Sequence, residues 1–190
     1  NASPASVSIH DGAITGNRAA DAAGMYVSGG RLQLANTQVM SNVANSEGLF
    51  GGNGGGVSFV GSNPANDNGS ISDSLFLSNT ATSGGGLYLS NIALTLTHTS
   101  LIGNSAGDGA AILLGNGQLI GADNVITHNL AVYNGGGLSL SNAQVSLTNT
   151  QIDHNTASTP NVASGAGIML TGNTDLSLTG GSLSDNTAGG

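Results

Sequence analysis

One short motif recurs along the whole chain: an asparagine with an alanine two positions after it and an apolar residue three positions before it. Seven copies follow one another along the chain at spacings of 25 to 37 residues, and the shortest spacing, 25 residues, recurs. Repeats at a fixed period of about 20 to 50 residues are typical of solenoid architectures, so this feature constrains the fold most strongly. The asparagines are Asn17, Asn42, Asn79, Asn104, Asn129, Asn155 and Asn186.

The residues around each motif alternate between apolar and polar side chains, which predicts short β-strands and not helices. Apolar residues also stand eight and ten positions before the asparagine, and only Gly69 and Gly121 interrupt these two columns. A further strand follows six of the motifs after a glycine-rich bend, as at Gly86–Leu89 and Gly137–Leu140. Three short strands separated by bends in every 25 residues are typical of a solenoid coil with three faces.

We therefore predict an all-β fold: a single-stranded, right-handed parallel β-helix of about seven rungs, each of roughly 25 residues. Residues 1–190 are expected to form one domain, which is a segment of a longer solenoid or a fibre subunit. Three insertions lengthen individual rungs, at about Ser46–Gly55, Gly61–Asn68 and Ser158–Ser164.

The composition fits a coil with a thin core. The chain has 32 glycines, 3% aromatic and 6% charged residues, and it has no Cys and no Trp. Its net charge of −8 and its lack of lysine disfavour nucleic acid and anionic lipid as partners, because phosphate groups bind to Lys and Arg. No apolar run reaches the roughly 18 residues of a membrane span, so we expect no direct membrane insertion. We also expect no cofactor.

The repeated asparagines have a structural interpretation. Identical Asn side chains one rung apart can pass amide hydrogen bonds along a stack, as they do in cross-β assemblies. The seven asparagines are therefore predicted to form a structural ladder, with each following alanine pointing inward at a corner. A residue type that recurs on every rung does not mark a single active site.

Two motifs resemble the repeats of the chlamydial polymorphic outer-membrane proteins and related autotransporter passengers. One is the glycine-rich motif seen at Gly84–Leu87 and Gly135–Leu138, and the other is the apolar-x-x-Asn motif of every rung. The phenylalanine form of the second motif occurs here once, at Phe76–Asn79. The resemblance covers nearly the whole chain and implies a secreted, surface-displayed β-helix used in adhesion.

Polysaccharide lyases and hydrolases share the β-helix fold, so a catalytic site is the main alternative. Such chemistry needs clustered carboxylates, usually with a basic residue or Ca²⁺. Here the acids six positions before the asparagines fall on alternate rungs, roughly 10 Å apart, and Asp and Asn at such positions are typical of turns. We therefore predict no catalytic residue. The column reads Asp11, Asn36, Asp73, His98, Asp123, Asn149 and Gly180.

His128, His154 and Asp185 stand immediately before the asparagine on three successive rungs. Imidazole and carboxylate groups are metal ligands in proteins, which makes these three residues the metal candidates of the chain. Turn histidines that stack without a metal are the preferred interpretation, so we predict no metal site.

Outward-pointing positions offer two further candidate surfaces. The middle residue of the glycine-rich strand gives the column Tyr26, Ser58, Tyr88, Leu113, Ser139 and Met169. Its large members, Tyr26, Tyr88, Leu113 and Met169, are candidates for contact with a glycan or a partner protein, although aromatic residues also suit exposed strands. A second outward column, seven positions before the asparagine, has small and hydroxyl-bearing residues, as an ice-binding face does, but it lacks a regular array of threonines. It reads His10, Ala35, Ser72, Thr97, Ala122, Thr148 and Thr179.

The sequence favours a non-catalytic extracellular scaffold at the cell surface, either an adhesin passenger segment or a self-assembling surface-fibre subunit. Its expected partners are other copies of itself or adjoining coils, stacked end to end, and a surface glycan or host protein. A polysaccharide-binding or polysaccharide-cleaving β-helix is the alternative function, and an ice-binding solenoid is a minor one.

Overall fold

The computed structural model describes residues 5–45 and 52–189, and all regular secondary structure in these ranges is β. The strands are short and pair in parallel into stacked sheets, which we label A to D in the order in which the chain visits them. The chain visits sheets A, B, C and D in turn before it starts the next coil, although the third coil joins sheet C only through single bridges of Thr80. The fold is the predicted parallel β-solenoid, with about six turns where about seven rungs were predicted, because the last of the seven coils has no strand in sheet D among the described residues.

Sheets A and B each contain seven strands, one from every coil. Sheet A consists of β1 (Ser6–His10), β5 (Arg31–Ala35), β9 (Asn68–Ser72), β12 (Ala93–Thr97), β16 (Gln118–Ala122), β20 (Gln144–Thr148) and β24 (Asp175–Thr179). Sheet B consists of β2 (Ala13–Thr15), β6 (Gln38–Met40), β10 (Leu75–Leu77), β13 (Ser100–Ile102), β17 (Val125–Thr127), β21 (Gln151–Asp153) and β25 (Ser182–Ser184).

Sheets C and D complete each coil. Sheet C holds β3 (Arg18–Ala19), β7 (Val43–Ala44), β14 (Ser105–Asp108), β18 (Leu130–Asn134), β22 (Thr156–Ala157) and β26 (Thr187–Ala188), and single bridges from Thr80 join its two parts. Sheet D holds β4 (Met25–Ser28), β8 (Val57–Val60), β11 (Leu87–Ser90), β15 (Ile112–Gly115), β19 (Leu138–Ser141) and β23 (Ile168–Thr171). The strands of sheets A, B and D are the three predicted from the repeat, and the short strand of sheet C is an addition to them.

The register is the one that the asparagine spacing predicts. In sheet B, Ile14 pairs with Val39, Val39 with Phe76, and Phe76 with Leu101, so equivalent residues of successive motifs stand side by side. Insertions do not disturb this register because they lie between strands. Strand β9 begins at Asn68, so the second insertion ends one residue earlier than predicted. Residues 46–51 of the first insertion lie outside the described residues.

A thin apolar core runs along the middle of the solenoid. Phe59, Phe76 and Leu101 are fully buried in it. Gly69 and Gly121, which interrupt the apolar columns, lie in the core where the side chains of neighbouring residues occupy the space that a larger residue would need. A Cβ atom on Gly69 would lie 3.2 Å from Cε1 of Phe59, and one on Gly121 would lie 2.6 Å from Cδ2 of Leu147.

A residue in the left-handed region turns the chain at each corner of the coil. The column six positions before the asparagines, from Asp11 to Gly180, has positive φ at every one of its seven positions, from 46° at His98 to 66° at Gly180. Asn, Asp and Gly adopt this conformation at the least cost, which explains the residue types in this column. The prediction that the acids of this column are turn residues agrees with this geometry.

The alanine of each motif lies in or next to sheet C, and those of the inner coils point inward, whereas Ala19 and Ala188 in the first and last coils are exposed. Ala44, Ala106, Ala131 and Ala157 are all buried. A larger side chain at these positions would have to displace the core of its own coil, because the corner leaves room for a methyl group only.

Candidate functional site

The predicted ladder asparagines form a continuous chain of hydrogen bonds along the solenoid. The side-chain amide Nδ2 of each asparagine donates to Oδ1 of the asparagine in the next coil, at 2.9 to 3.0 Å. The backbone N–H of the same residue donates to the same oxygen, at 2.9 to 3.1 Å. The ladder therefore links all seven coils through side chains in addition to the sheets.

In the five inner ladder residues, from Asn42 to Asn155, the second hydrogen of the side-chain amide is also used. Nδ2 of Asn104 donates to the carbonyl oxygen of Phe76 at 3.0 Å, and Nδ2 of Asn155 donates to that of Ile126 at 2.9 Å. Both asparagines are fully buried. With two bonds accepted and two donated, their amides are saturated and have nothing left to offer a ligand.

Most aspartates of the described ranges bind other parts of the fold. Asp11 accepts a hydrogen bond from Asn36 at 2.7 Å, and Asp123 accepts one from Asn149 at 3.2 Å, in both cases one coil further along. Asp108 accepts from Asn134 at 2.9 Å in the same way. These carboxylates connect neighbouring coils.

Asp67 holds the loop made by the second insertion, Gly61–Asp67. Its Oδ2 accepts hydrogen bonds from the backbone N–H groups of Ser62 and Asn63, at 2.7 and 3.1 Å, and its Oδ1 accepts one from Gly30 at 2.6 Å. Hydrogen bonds from Ser62, Gly30 and Asn63 to the ionised carboxylate lower the pKa of Asp67 to about 2. The loop is therefore fixed against the neighbouring coil by one buried carboxylate.

The candidate metal residues His128 and His154 lie one above the other on successive coils. Their rings are stacked, with centroids 5.1 Å apart and an angle of 4° between the planes. The lone pair of an imidazole nitrogen lies in the ring plane, so two parallel rings cannot direct lone pairs at one ion between them. In the part of the chain that the structure describes, no group of three or more His, Asp, Glu or Cys side chains is placed to hold a metal.

Asp153, beside this pair, was not predicted as a site residue. Its Oδ1 is buried without a hydrogen-bond partner among the described residues, 3.7 Å from Nδ1 of His154. Burial raises the pKa of Asp153, but hydrogen bonds from Thr127 and Gln151 and the charge of His154 outweigh that effect, so its pKa lies below the usual value. Asp185 is exposed and remains a turn residue with φ of 54°.

The predicted outward column of sheet D is only partly a surface. Tyr26 is 57% exposed, and Tyr88, Leu113 and Met169 are half-buried. Ser58 lies between Tyr26 and Tyr88 in the register and alternates with the core residues Val57 and Phe59, so it is on the outer side of the strand. It is nevertheless buried, because the glycine-rich bend at Gly54 covers it. The two tyrosines are two coils apart and do not form a continuous stripe.

The outer face of sheet A forms a shallow groove that was not predicted as a site. Three adjoining depressions of about 450, 310 and 620 Å³ all include Gln118, and together they reach from Ser6 in β1 to Asp175 in β24. The Gly61–Asp67 loop forms one wall of the largest depression, through Pro64 and Ala65. A sequence signal existed: Gln118 and Gln144 occupy the same position, eleven residues before the asparagine, on successive rungs.

An exposed apolar patch on sheet C was also missed. Leu130, Val132 and Tyr133 of strand β18 are 42 to 48% exposed, and Val162 of the third insertion is 62% exposed. The insertion lies against this strand, since the N–H of Thr159 donates to the carbonyl oxygen of Val132 at 2.9 Å. The insertion thus adds an apolar side chain to those of the strand.

In comparisons with known proteins, no family model, no curated protein and no solved structure matches the chain. Within residues 5–45 and 52–189, no helix is long and apolar enough to cross a membrane.

Proposed function

We propose that the chain is a non-catalytic extracellular scaffold, a stiff β-solenoid rod of the autotransporter-passenger type displayed at the cell surface. The observation that carries this proposal is the asparagine ladder. It adds three side-chain hydrogen bonds per coil to the backbone pairing, as at Asn104, and each such bond contributes roughly 1 kcal/mol net. Because these side-chain hydrogen bonds recur along the solenoid, the rod is expected to be stiff, as a scaffold protein requires.

The arrangement of the acids supports the non-catalytic part of the proposal. General acid–base work on a glycosidic bond needs two carboxyl groups at a defined short separation on either side of the substrate. Asp11, Asp108 and Asp123 instead accept hydrogen bonds from asparagines of the adjoining coil. Asp67 accepts hydrogen bonds from its own loop and from Gly30 of the neighbouring coil. These carboxylates therefore have structural roles in joining coils and holding a loop.

The proposed family rests on the glycine-rich motif and the asparagine motif, which occupy neighbouring corners of one coil. Both motifs contribute to stacking: the asparagine through the ladder, and the first glycine through a left-handed turn, as at Gly84 with φ of 64° and Gly135 with φ of 61°.

End-to-end contact with further coils, from this chain or another copy, is part of the same proposal. The ladder has a direction, because each asparagine donates toward the C-terminal coil. A ladder with one direction favours head-to-tail over head-to-head stacking of coils.

The experiment is surface labelling followed by electron microscopy of the native material. Antibodies raised against the chain should label intact source cells, and purified material should show straight rods or fibres. Labelling only after the cells are permeabilised would contradict the extracellular location. Hydrolysis of a polysaccharide by the purified protein would contradict the non-catalytic assignment.

A further inference from the structure

We infer that the outer face of sheet A is a binding groove for an uncharged polysaccharide chain that lies along the axis of the rod. The groove crosses all seven strands of the sheet, from Ser6 to Asp175, and its largest depression lies beside the Gly61–Asp67 loop. This inference goes beyond the scaffold proposal and does not depend on it.

The first argument concerns amides that the fold does not use. Gln118 and Gln144 are exposed at the floor of the groove, paired in register on adjacent strands, and their side chains make no hydrogen bond to any described residue. The buried amides of the ladder, by contrast, are saturated. A free amide offers both donors and acceptors, which is what a sugar hydroxyl requires.

The second argument concerns the apolar component of the groove. Ile120, two residues after Gln118 on the same outer face, is 49% exposed and lies where two of the depressions meet. An apolar side chain between free amides matches a sugar ring, which has an apolar C–H face and hydroxyl groups around its edge. Covering Ile120 would remove apolar area from water.

The third argument is the wall beside the amides. Pro64 and Ala65 line the largest depression of the groove together with Asn116 and Asn142. Asp67 fixes this wall in place through its hydrogen bonds to Ser62, Asn63 and Gly30. A preorganised wall lowers the entropy lost when a flexible polymer binds.

Spacing and charge select the class of ligand. Equivalent side chains recur in the groove at the distance between coils, about 4.8 Å, which is also close to the advance of one sugar unit in an extended glycan. In the described part of the groove the only charged side chains are Arg31 and Asp175, near opposite ends. With a net charge of −8 on the chain, a polyanion would be repelled.

The test is native affinity electrophoresis of the full chain in gels containing glucomannan, xyloglucan or dextran, with polygalacturonate as the anionic comparison. At least one of the three uncharged polymers should retard the protein, and polygalacturonate should not. The double variant Gln118→Ala/Gln144→Ala should weaken binding about tenfold or more, because two buried polar contacts are lost.

The matched control is Gln38→Ala, which removes an exposed glutamine from sheet B, outside the groove. It should bind like the unaltered chain, and circular dichroism should show that all variants keep their fold. Retardation by none of the uncharged polymers, or retardation that the double variant retains, would overturn the inference. Rods in electron micrographs and labelling of intact cells would be unaffected by such a failure, so the two proposals are separable.

Discussion

The side-chain amide of Asn104 donates a hydrogen bond of 3.0 Å to Oδ1 of Asn129, one coil further along the solenoid. The two residues are 25 positions apart in the chain, and both are buried. Amide hydrogen bonds of this length are well formed, and a buried amide that lost its partner would be costly. The stability of the inner coils should therefore depend on this ladder.

Replacing Asn104 by alanine tests that dependence. The variant leaves the N–H and Nδ2 groups of Asn79 without their acceptor in a buried site. We expect a loss of about 3 kcal/mol or more in the free energy of unfolding, measured by urea denaturation.

The matched control is Asn186→Ala in the last coil, where the side chain is half-buried and makes ladder contacts with one neighbour only. It should cost clearly less than the change at Asn104. Equal effects at the two sites would contradict a cooperative ladder.

The first glycine of the glycine-rich motif should not tolerate a side chain. Gly135 has φ of 61°, and a Cβ atom there would lie 2.5 Å from the carbonyl oxygen of Leu138. We expect Gly135→Ala to lower the free energy of unfolding by about 2 kcal/mol or more, since a left-handed conformation and a backbone clash both act against it.

Gly115→Ala is the control for this substitution, because a Cβ atom on Gly115 meets nothing within 4 Å. Its neighbours in sheet D, Ser90 and Ser141, already carry side chains. The expected effect is a change within about 1 kcal/mol, in the stabilising direction. If both alanine variants are equally stable in thermal melts, the left-handed turn is not the reason for the motif.

Low pH should weaken the hydrogen bonds that the carboxylate of Asp67 accepts from the Gly61–Asp67 loop and from Gly30. The pKa of Asp67 in the folded chain is about 2, below its ordinary value of 3.8, so its contribution to stability is fully present above about pH 4. The contribution is lost as the pH falls toward 2, when the folded carboxylate takes up a proton. Asp67→Asn should therefore have a lower melting temperature than the unaltered chain at pH 6, and the gap should narrow toward pH 2.

Asp73→Asn is the control for the pH experiment, since Asp73 is exposed at a turn where other coils carry asparagine. It should follow the pH profile of the unaltered chain. A constant gap between Asp67→Asn and the unaltered chain from pH 6 to pH 2 would show that the carboxylate charge is not what holds the loop.

The stacked histidines should bind divalent metal weakly. The parallel rings of His128 and His154 do not direct two lone pairs at one ion. We therefore expect isothermal titration with Zn²⁺ or Ni²⁺ to show no binding at micromolar metal and no difference from the variant His128→Ala. A micromolar site that His128→Ala abolishes would mean that the rings reorient around an ion.

Several elements of the structure could be predicted from the repeat alone. The spacing of the asparagines determines which residues stand side by side, because a parallel coil has only one register that keeps Ile14, Val39 and Phe76 in the core. The corner residues could also be predicted, since Asp, Asn and Gly at one repeated position are what a left-handed turn requires. These features are local, and each one recurs in every coil.

Only the tertiary structure decided which outward positions are surfaces. Ser58 and Tyr26 share a column in the sequence, yet the first is buried and the second is exposed. Gln118 became a candidate for binding because the Gly61–Asp67 loop, inserted two coils earlier, lies beside it. The repeat determines the backbone of the coil through periodic local preferences, whereas the insertions pack against particular neighbours. Their contacts have no period from which they could be inferred, so the candidate site depends on packing that the sequence pattern does not encode.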